Sequence, residues 1–79
     1  MIFYDKRNFS YGNVMRAPAD KIGIYRFWRS NKIIYVGETT LQTLRVRLKN
    51  HLYNCHNELL KNWIKSSFTL QFDFCIMDD

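Results

Sequence analysis

Three segments of the chain have the residue pattern of β-strands. Residues 22–28 and 33–36 are rich in β-branched and aromatic side chains and flank the polar run 29–31, which predicts two strands joined as a hairpin. Residues 68–77 then alternate between large apolar and mostly smaller or polar side chains. This period of two predicts a third, half-buried strand, with an apolar face formed by Phe68, Leu70, Phe72, Phe74 and Ile76.

The length of the hairpin loop decides which side chains of the first two strands share a face. A loop of two or four residues would place Tyr25 and Tyr35 on opposite faces of the ribbon. We expect a three-residue loop at 29–31, with Asn31 in the left-handed conformation, which sets Tyr25 directly opposite Tyr35.

Leucines spaced 3, 4 and 4 residues apart predict a helix after the hairpin that starts near Thr40 or Leu41. On the helical wheel, Arg47 and His51 fall together on one shoulder of the leucine stripe, and Arg45 falls on the other. One edge of the helix is therefore expected to carry a guanidinium beside an imidazole. The core stripe consists of Leu41, Leu44, Leu48 and Leu52.

The rest of the chain completes a small single domain. A second helix is predicted from Leu59, Leu60, Trp63 and Ile64, with Asn57 as its cap and Ser66-Ser67 as its end.

Residues 1–20 have no sustained period and are expected to be an irregular arm whose aromatic side chains pack on the domain. Pro18 marks the entry to the regular part, residues 21–79. We predict a small α/β structure of the α+β type, a three-stranded antiparallel sheet flanked by helices.

Composition and charge narrow the class of protein. Of the 79 residues 47% are hydrophobic, which suits a folded domain and not a disordered chain. Twelve Lys and Arg against seven Asp and Glu give a net charge of +5, so nucleic acid is the first partner to consider, with an anionic membrane surface or simple solubility as alternatives. Two cysteines and the lack of a signal-like or membrane-spanning run favour a soluble, cytoplasmic protein with reduced thiols.

Two tripeptides and one helix edge together carry a family resemblance. The tripeptides 23–25 (GIY) and 35–37 (YVG) lie on the paired strands, and Arg47 and His51 follow in order on the next helix. Residues 22–77 thereby resemble the GIY-YIG nuclease superfamily. Each tripeptide alone is a weak signal, but the ordered set at hairpin spacing is specific.

The resemblance implies an endonuclease that hydrolyses DNA phosphodiester bonds with Mg²⁺ or another divalent cation. It implies Tyr25 as base or proton shuttle and Tyr35 as the second tyrosine of the site. It further implies that Arg47 stabilises the phosphate and that His51 is its polar partner. The backbone glycines of the pattern are Gly23 and Gly37.

The chemistry places a condition on Tyr25. Cleaving a phosphodiester requires a group that deprotonates water and positive charge on the pentavalent phosphate. A tyrosine with its ordinary pKa near 10 serves as a base only where neighbours favour the phenolate. Arg47 and His51 are the neighbours that could do so.

The family's metal ligand is a Glu on a helix after the third strand, and no such residue is identifiable here. Glu38, Glu58 and Asp73 do not occupy that position, and Asp78 and Asp79 come closest in order. We expect the chain to be the front part of a longer protein, because a missing helix would leave apolar surface on the third strand. A partner covering that face, such as a second copy, is the alternative.

Other interpretations remain open at this stage. The chain is alternatively a catalytically silent nucleic-acid-binding module of the same fold, or a protein-interaction domain. A strand tyrosine ordinarily packs its ring and finds one hydroxyl partner, and an Arg–His pair on a helix is ordinarily a solvated edge. His51, Cys55 and His56, with Cys75, are a weak zinc alternative. Candidate phosphate contacts are Lys32, Arg45, Lys49, Lys61 and Lys65, with Arg45 otherwise solvated.

Overall fold

The computed structural model describes residues 2–55, 57–65 and 69–77. Its strands form one antiparallel sheet in the order β1-β4-β2-β3. The small α+β architecture is confirmed, but the sheet has four strands where three were predicted. The elements are β1 Arg7–Asn8, α1 Tyr11–Val14, β2 Gly23–Arg29, β3 Lys32–Glu38, α2 Leu44–Asn54, α3 Glu58–Lys65 and β4 Leu70–Ile76.

The additional strand comes from the N-terminal arm, which is not irregular throughout. β1 pairs with β4, with Arg7 opposite Phe72, and a two-residue strand is too short to leave a period-two pattern. The ring of Phe9 packs edge-on against Phe27 and Phe72, with centroids 4.7 and 5.6 Å away. Packing of the arm's aromatics on the domain is therefore confirmed for Phe9.

In the β2–β3 hairpin the two tyrosines share one face, as expected, but the loop that joins the strands differs from the prediction. The loop contains two residues, and the left-handed one is Ser30, with φ 54°, not Asn31. A register shift between Phe27 and Trp28 then inserts an extra residue into β3. Because this bulge restores the parity, Tyr25 and Tyr35 share a face, with ring centroids 6.3 Å apart.

Direct pairing of Tyr25 with Tyr35 was nevertheless wrong. Across the ladder Tyr35 pairs with Phe27, whereas Tyr25 pairs with Gly37. The two tyrosines are thus diagonal neighbours on one face.

Helix α2 begins at Leu44, later than predicted. Thr43 is its N-cap and accepts a hydrogen bond from the Val46 amide at 3.5 Å. Before it, the Thr39 amide donates to the Gly23 carbonyl at 2.9 Å, which ties this segment to β2. Leu41 consequently lies outside the helix and is 98% exposed, while Leu44 and Leu48 are fully buried.

The second helix, α3, has the predicted cap. The Asn57 side-chain oxygen accepts from the Leu60 amide at 2.9 Å, and Leu60 is buried. The predicted end at Ser66-Ser67 and the predicted strand residue Phe68 lie outside the described residues.

β4 is an inner strand between β1 and β2, and both of its faces are covered. Phe72 on one face and Cys75 on the other are buried, so the strand is not half-buried as predicted. The arm contributes to this cover, since Tyr4 packs on Phe74 with ring centroids 4.9 Å apart. On the predicted apolar face, Leu70 and Phe72 are buried, whereas Phe74 and Ile76 are partly buried.

The core lies between the sheet and α2 and brings the candidate residues together. Tyr25 and Phe27 project from β2 toward Leu44 and Leu48 of α2, and all four side chains are buried. Within residues 2–55, 57–65 and 69–77, no helix has the length and apolar character required to cross a bilayer.

Candidate active site

Strand β2 delivers Tyr25 to the helix side of the sheet. The residue is 1% exposed, and its ring packs edge-on against Phe27, with centroids 5.9 Å apart. Across the ladder lies Gly37, where a Cβ would overlap the Cζ and hydroxyl of Tyr25. The motif glycine of β3 therefore has a steric reason: the phenol ring passes over it.

Helix α2 delivers the two partners of the Tyr25 hydroxyl. Nε2 of His51 lies 2.7 Å from the hydroxyl oxygen, and Nε of Arg47 donates to that oxygen at 3.3 Å. The spacing of four residues puts both side chains on one edge of the helix, as predicted. The structure thus joins three of the four predicted catalytic residues in one hydrogen-bonded cluster.

Tyr35 borders the same cluster, and after burial its interaction with the Tyr25 hydroxyl is a smaller cause that raises the pKa of Tyr25. The ring centroid of Tyr35 lies 5.7 Å from that of His51, and the side chain is half-buried. Tyr35, Arg47 and His51 line a cavity of about 290 Å³ beside α2. The wall of the cavity also includes Gln42, Asn50, Asn54, Cys55 and Asn57.

Two polar residues of this cavity were missed by sequence reasoning. The Asn50 amide donates to the Gln42 side-chain oxygen at 3.3 Å. A helix starting at residue 40 or 41, as expected, would have included Gln42 in its first turn. The cap at Thr43 was the local signal that could have placed Gln42 in the segment before the helix.

The other motif glycine is fixed by its surroundings on β2. A Cβ on Gly23 would overlap the backbone oxygen of Cys75 on the neighbouring strand. The Gly23 amide donates to the Thr39 hydroxyl at 2.7 Å, and Thr39 is 2% exposed. This clamp ties the start of β2 to the segment that leads into α2, and nothing in the sequence singled out Thr39.

Burial and charge set the protonation of the cluster. Burial raises the pKa of Tyr25, although the hydrogen bond and charge of Arg47 oppose it. Burial, followed by the charge of Arg47, lowers the pKa of His51 to about 4. Both groups are therefore neutral at pH 7. Arg47 favours the phenolate of Tyr25, as expected, but burial outweighs this effect, and a neutral His51 adds no charge.

The candidate phosphate contacts occupy different parts of the molecule. Arg45 is half-buried, and its Nε donates to the Ala17 carbonyl at 2.9 Å; its role as a phosphate contact stays a prediction. Lys32 lines a separate cleft of about 640 Å³ with Arg29 and Trp63 at the hairpin end of the sheet. Lys61 and Lys65 border a cavity of about 250 Å³ on the α3 side of His51, while Lys49 is half-buried on α2.

The donor set of the described residues does not fit a metal ion. In that part of the chain, no group of three or more His, Cys, Asp or Glu side chains could hold one. Asp73 is engaged by Arg26 on the other face of the sheet. Glu38 is an exposed residue at the end of β3, and Asp78 and Asp79 lie outside the described residues.

The zinc alternative gains no support from the geometry. Nδ1 of His51 lies 3.4 Å from Sγ of Cys55, a contact between two residues and not a ligand set. Cys75 lies next to Phe74 on β4 and therefore faces the opposite side of the sheet from Tyr25, which pairs with Phe74. His56 lies outside the described residues.

No family model matches this chain, and neither the curated proteins nor the solved structures contain a match to it.

Proposed function

We propose that this protein hydrolyses phosphodiester bonds of DNA, in the manner of the GIY-YIG nucleases that its motifs resemble. One observation carries the proposal: the buried Tyr25 hydroxyl lies between Nε of Arg47 and Nε2 of His51. This arrangement puts a proton donor, a proton acceptor and a permanent cation within one cluster, of which Arg47 and His51 line a cavity.

Tyr25 serves as a proton shuttle in this scheme. Its hydroxyl hydrogen passes to Nε2 of His51 while the oxygen takes a proton from the attacking water. No free phenolate forms, which agrees with the raised pKa of Tyr25. Burial and, second to it, the charge of Arg47 lower the pKa of His51 and make it a weak base in the unliganded site. An anionic phosphate in the cavity would offset the part that comes from Arg47.

Arg47 holds the phosphate and stabilises the charge that develops on it. Its Nε is engaged by Tyr25, which orients the guanidinium, and the terminal nitrogens of a guanidinium match two phosphate oxygens. Charge placed before the reaction stabilises the pentavalent state without reorganisation. The net charge of +5 favours the approach of a polyanion.

A divalent cation belongs to the chemistry that the resemblance implies, and when bound it would stabilise the leaving oxygen. The described residues provide no set of ligands for it, so the scheme above uses only the side chains of this chain. Dependence on Mg²⁺ is therefore left to experiment.

Plasmid nicking tests the proposal directly. The protein is incubated with supercoiled DNA and Mg²⁺, with and without a chelator. Nicking is expected, and Tyr25→Phe and Arg47→Ala should each lower its rate by roughly 10²-fold or more. Tyr11→Phe is the matched control, because Tyr11 is 51% exposed and lies in the N-terminal arm, and it should nick at the wild-type rate.

The other outcomes are equally informative. DNA binding without nicking under any divalent cation would select the catalytically silent nucleic-acid-binding module. Nicking that survives Tyr25→Phe would remove Tyr25 from the mechanism.

A further inference from the structure

Cys55 extends the hydrogen-bonded cluster beyond the residues that we assign to the reaction. It follows α2 as the C-cap residue, one helical turn after His51. Its Sγ lies 3.4 Å from Nδ1 of His51, and its thiol donates to the Asn57 carbonyl at 3.6 Å. The imidazole is thus held at both ring nitrogens, by Tyr25 at Nε2 and by Cys55 at Nδ1.

The two ends of this network have fixed roles. Arg47 Nε can only donate, and the Asn57 carbonyl can only accept. Between them, Tyr25, His51 and Cys55 can each donate once and accept at least once, provided that the imidazole is neutral. The network therefore has one direction that makes every contact.

That direction selects one tautomer of the ring. With the proton on Nδ1, His51 donates to Sγ of Cys55 and accepts the Tyr25 hydroxyl hydrogen at Nε2. With the proton on Nε2, the Tyr25 oxygen would accept from both Arg47 and His51, and its own hydrogen would have to turn to another acceptor such as Tyr35. The Cys55 thiol would then have to donate to Nδ1 and leave the Asn57 carbonyl.

We propose that Cys55 is a positioning residue that holds His51 in the tautomer protonated on Nδ1, so that Nε2 receives the proton of Tyr25. His51 is 4% exposed, which limits the water available to take over this contact. Cys55 acts through His51 and touches no reacting atom. The catalytic meaning of this role rests on the proposed nuclease function, whereas the tautomer itself does not.

Nuclear magnetic resonance of the ¹⁵N-labelled full chain measures the tautomer without any substrate. Two-bond correlations from the ring protons at pH 7 distinguish a protonated from an unprotonated imidazole nitrogen. His51→Gln identifies the His51 signals, since the chain has two histidines. In the wild type, Nδ1 should be protonated and Nε2 unprotonated.

Substitutions at Cys55 test whether this residue determines the tautomer of His51. Cys55→Ser keeps a donor and an acceptor and should retain the wild-type tautomer, while Cys55→Ala should give a mixture of the two tautomers. Cys75→Ala is the matched control, because Cys75 faces the other side of the sheet, and it should leave the His51 signals unchanged. A wild-type ring protonated on Nε2, or a Cys55→Ala ring identical to the wild type, would overturn the proposal.

Nicking assays on the same variants separate this proposal from the proposed function. Cys55→Ala should lower the nicking rate about tenfold or more, a loss of the size seen when a metal-bound histidine loses its orienting partner, and Cys55→Ser should restore most of it. The expected tautomer in a protein that never nicks DNA would uphold the role of Cys55 and reject the nuclease. Nicking by a protein with Nε2 protonated would do the reverse.

Discussion

Gly37 lies directly across the β2–β3 ladder from Tyr25, and the phenol ring of Tyr25 occupies the space that a side chain at Gly37 would fill. The ring reaches from β2 over its partner strand, and its hydroxyl meets Nε2 of His51 on α2. The glycine is therefore part of what brings a strand residue and a helix residue 26 positions apart into contact.

Gly37→Ala should displace the Tyr25 ring and destabilise the fold. Because overpacking a well-filled core costs typically about 1–3 kcal/mol, we expect a loss of that size in the free energy of unfolding, measured by urea denaturation. Gly12→Ala is the control, since nothing lies within 4 Å of a Cβ there and alanine favours a helix over glycine. Equal stability of the two variants would show that Gly37 is not sterically required.

The free energy of unfolding should decrease when the pH is lowered, because His51 titrates. Its pKa is lowered from 6.5 to about 4 in the folded protein, so between these values the unfolded chain binds a proton that the folded chain refuses. Stability is therefore complete above pH 6.5 and decreases on acidification toward pH 4, by up to roughly 3 kcal/mol.

Urea denaturation at several pH values checks this prediction. His51→Gln removes the titrating group while an amide can still bond to Tyr25, so its stability should vary less between pH 6.5 and 4 than that of the wild type. Parallel curves for the two proteins would exclude His51 as the cause, because other groups titrate equally in both.

From the sequence alone it could be predicted that Tyr25 and Tyr35 share one face of the sheet, but not which loop geometry places them there. A three-residue loop and a two-residue loop followed by a bulge give the same parity. The extra residue of the bulge is Ile34, which packs against core residues from several parts of the chain. Local turn chemistry therefore could not distinguish the two arrangements.

Strand β1 was missed because it depends on pairing with a distant part of the chain. β1 is only two residues long and exists because the backbone of β4, more than 60 residues later, is available beside it. The proximity of Cys55 to His51 did follow from their spacing of four on a helix. The same spacing suits a shared metal ion or a direct hydrogen bond, and only the structure shows the second.

The opposite face of the sheet contains a buried ion pair that should stabilise the fold independently of the site. Asp73 is 4% exposed and accepts from Arg26 Nε at 2.8 Å and from Trp28 Nε1 at 3.0 Å. Phe3 of the arm also packs on Arg26, with the centroid of its ring 3.4 Å from the guanidinium carbon. The pair thus ties β2, β4 and the arm together.

Asp73→Ala should lower the free energy of unfolding by roughly 2–3 kcal/mol, because it leaves a partly buried guanidinium and an indole N–H without their acceptor. The loss stays below that of a fully buried pair, since the Arg26 side chain is 23% exposed. Asp73→Asn keeps an acceptor oxygen and should lose less. A loss below about 0.5 kcal/mol for Asp73→Ala, typical of surface pairs, would mean that solvent screens the pair.

DNA binding should involve the α3 side of the His51 cavity, where Lys61 and Lys65 lie. Each phosphate contact releases counterions, so Lys61→Ala should reduce the slope of log affinity against log salt by about 0.9 for duplex DNA. Lys21→Ala is the matched control, because Lys21 is exposed and is not among the residues that line the cavities beside His51, and it should leave the slope unchanged. Fluorescence anisotropy over a salt series measures both slopes. Equal reductions in the two variants would indicate diffuse attraction by the net charge, with no defined path for the DNA at this cavity.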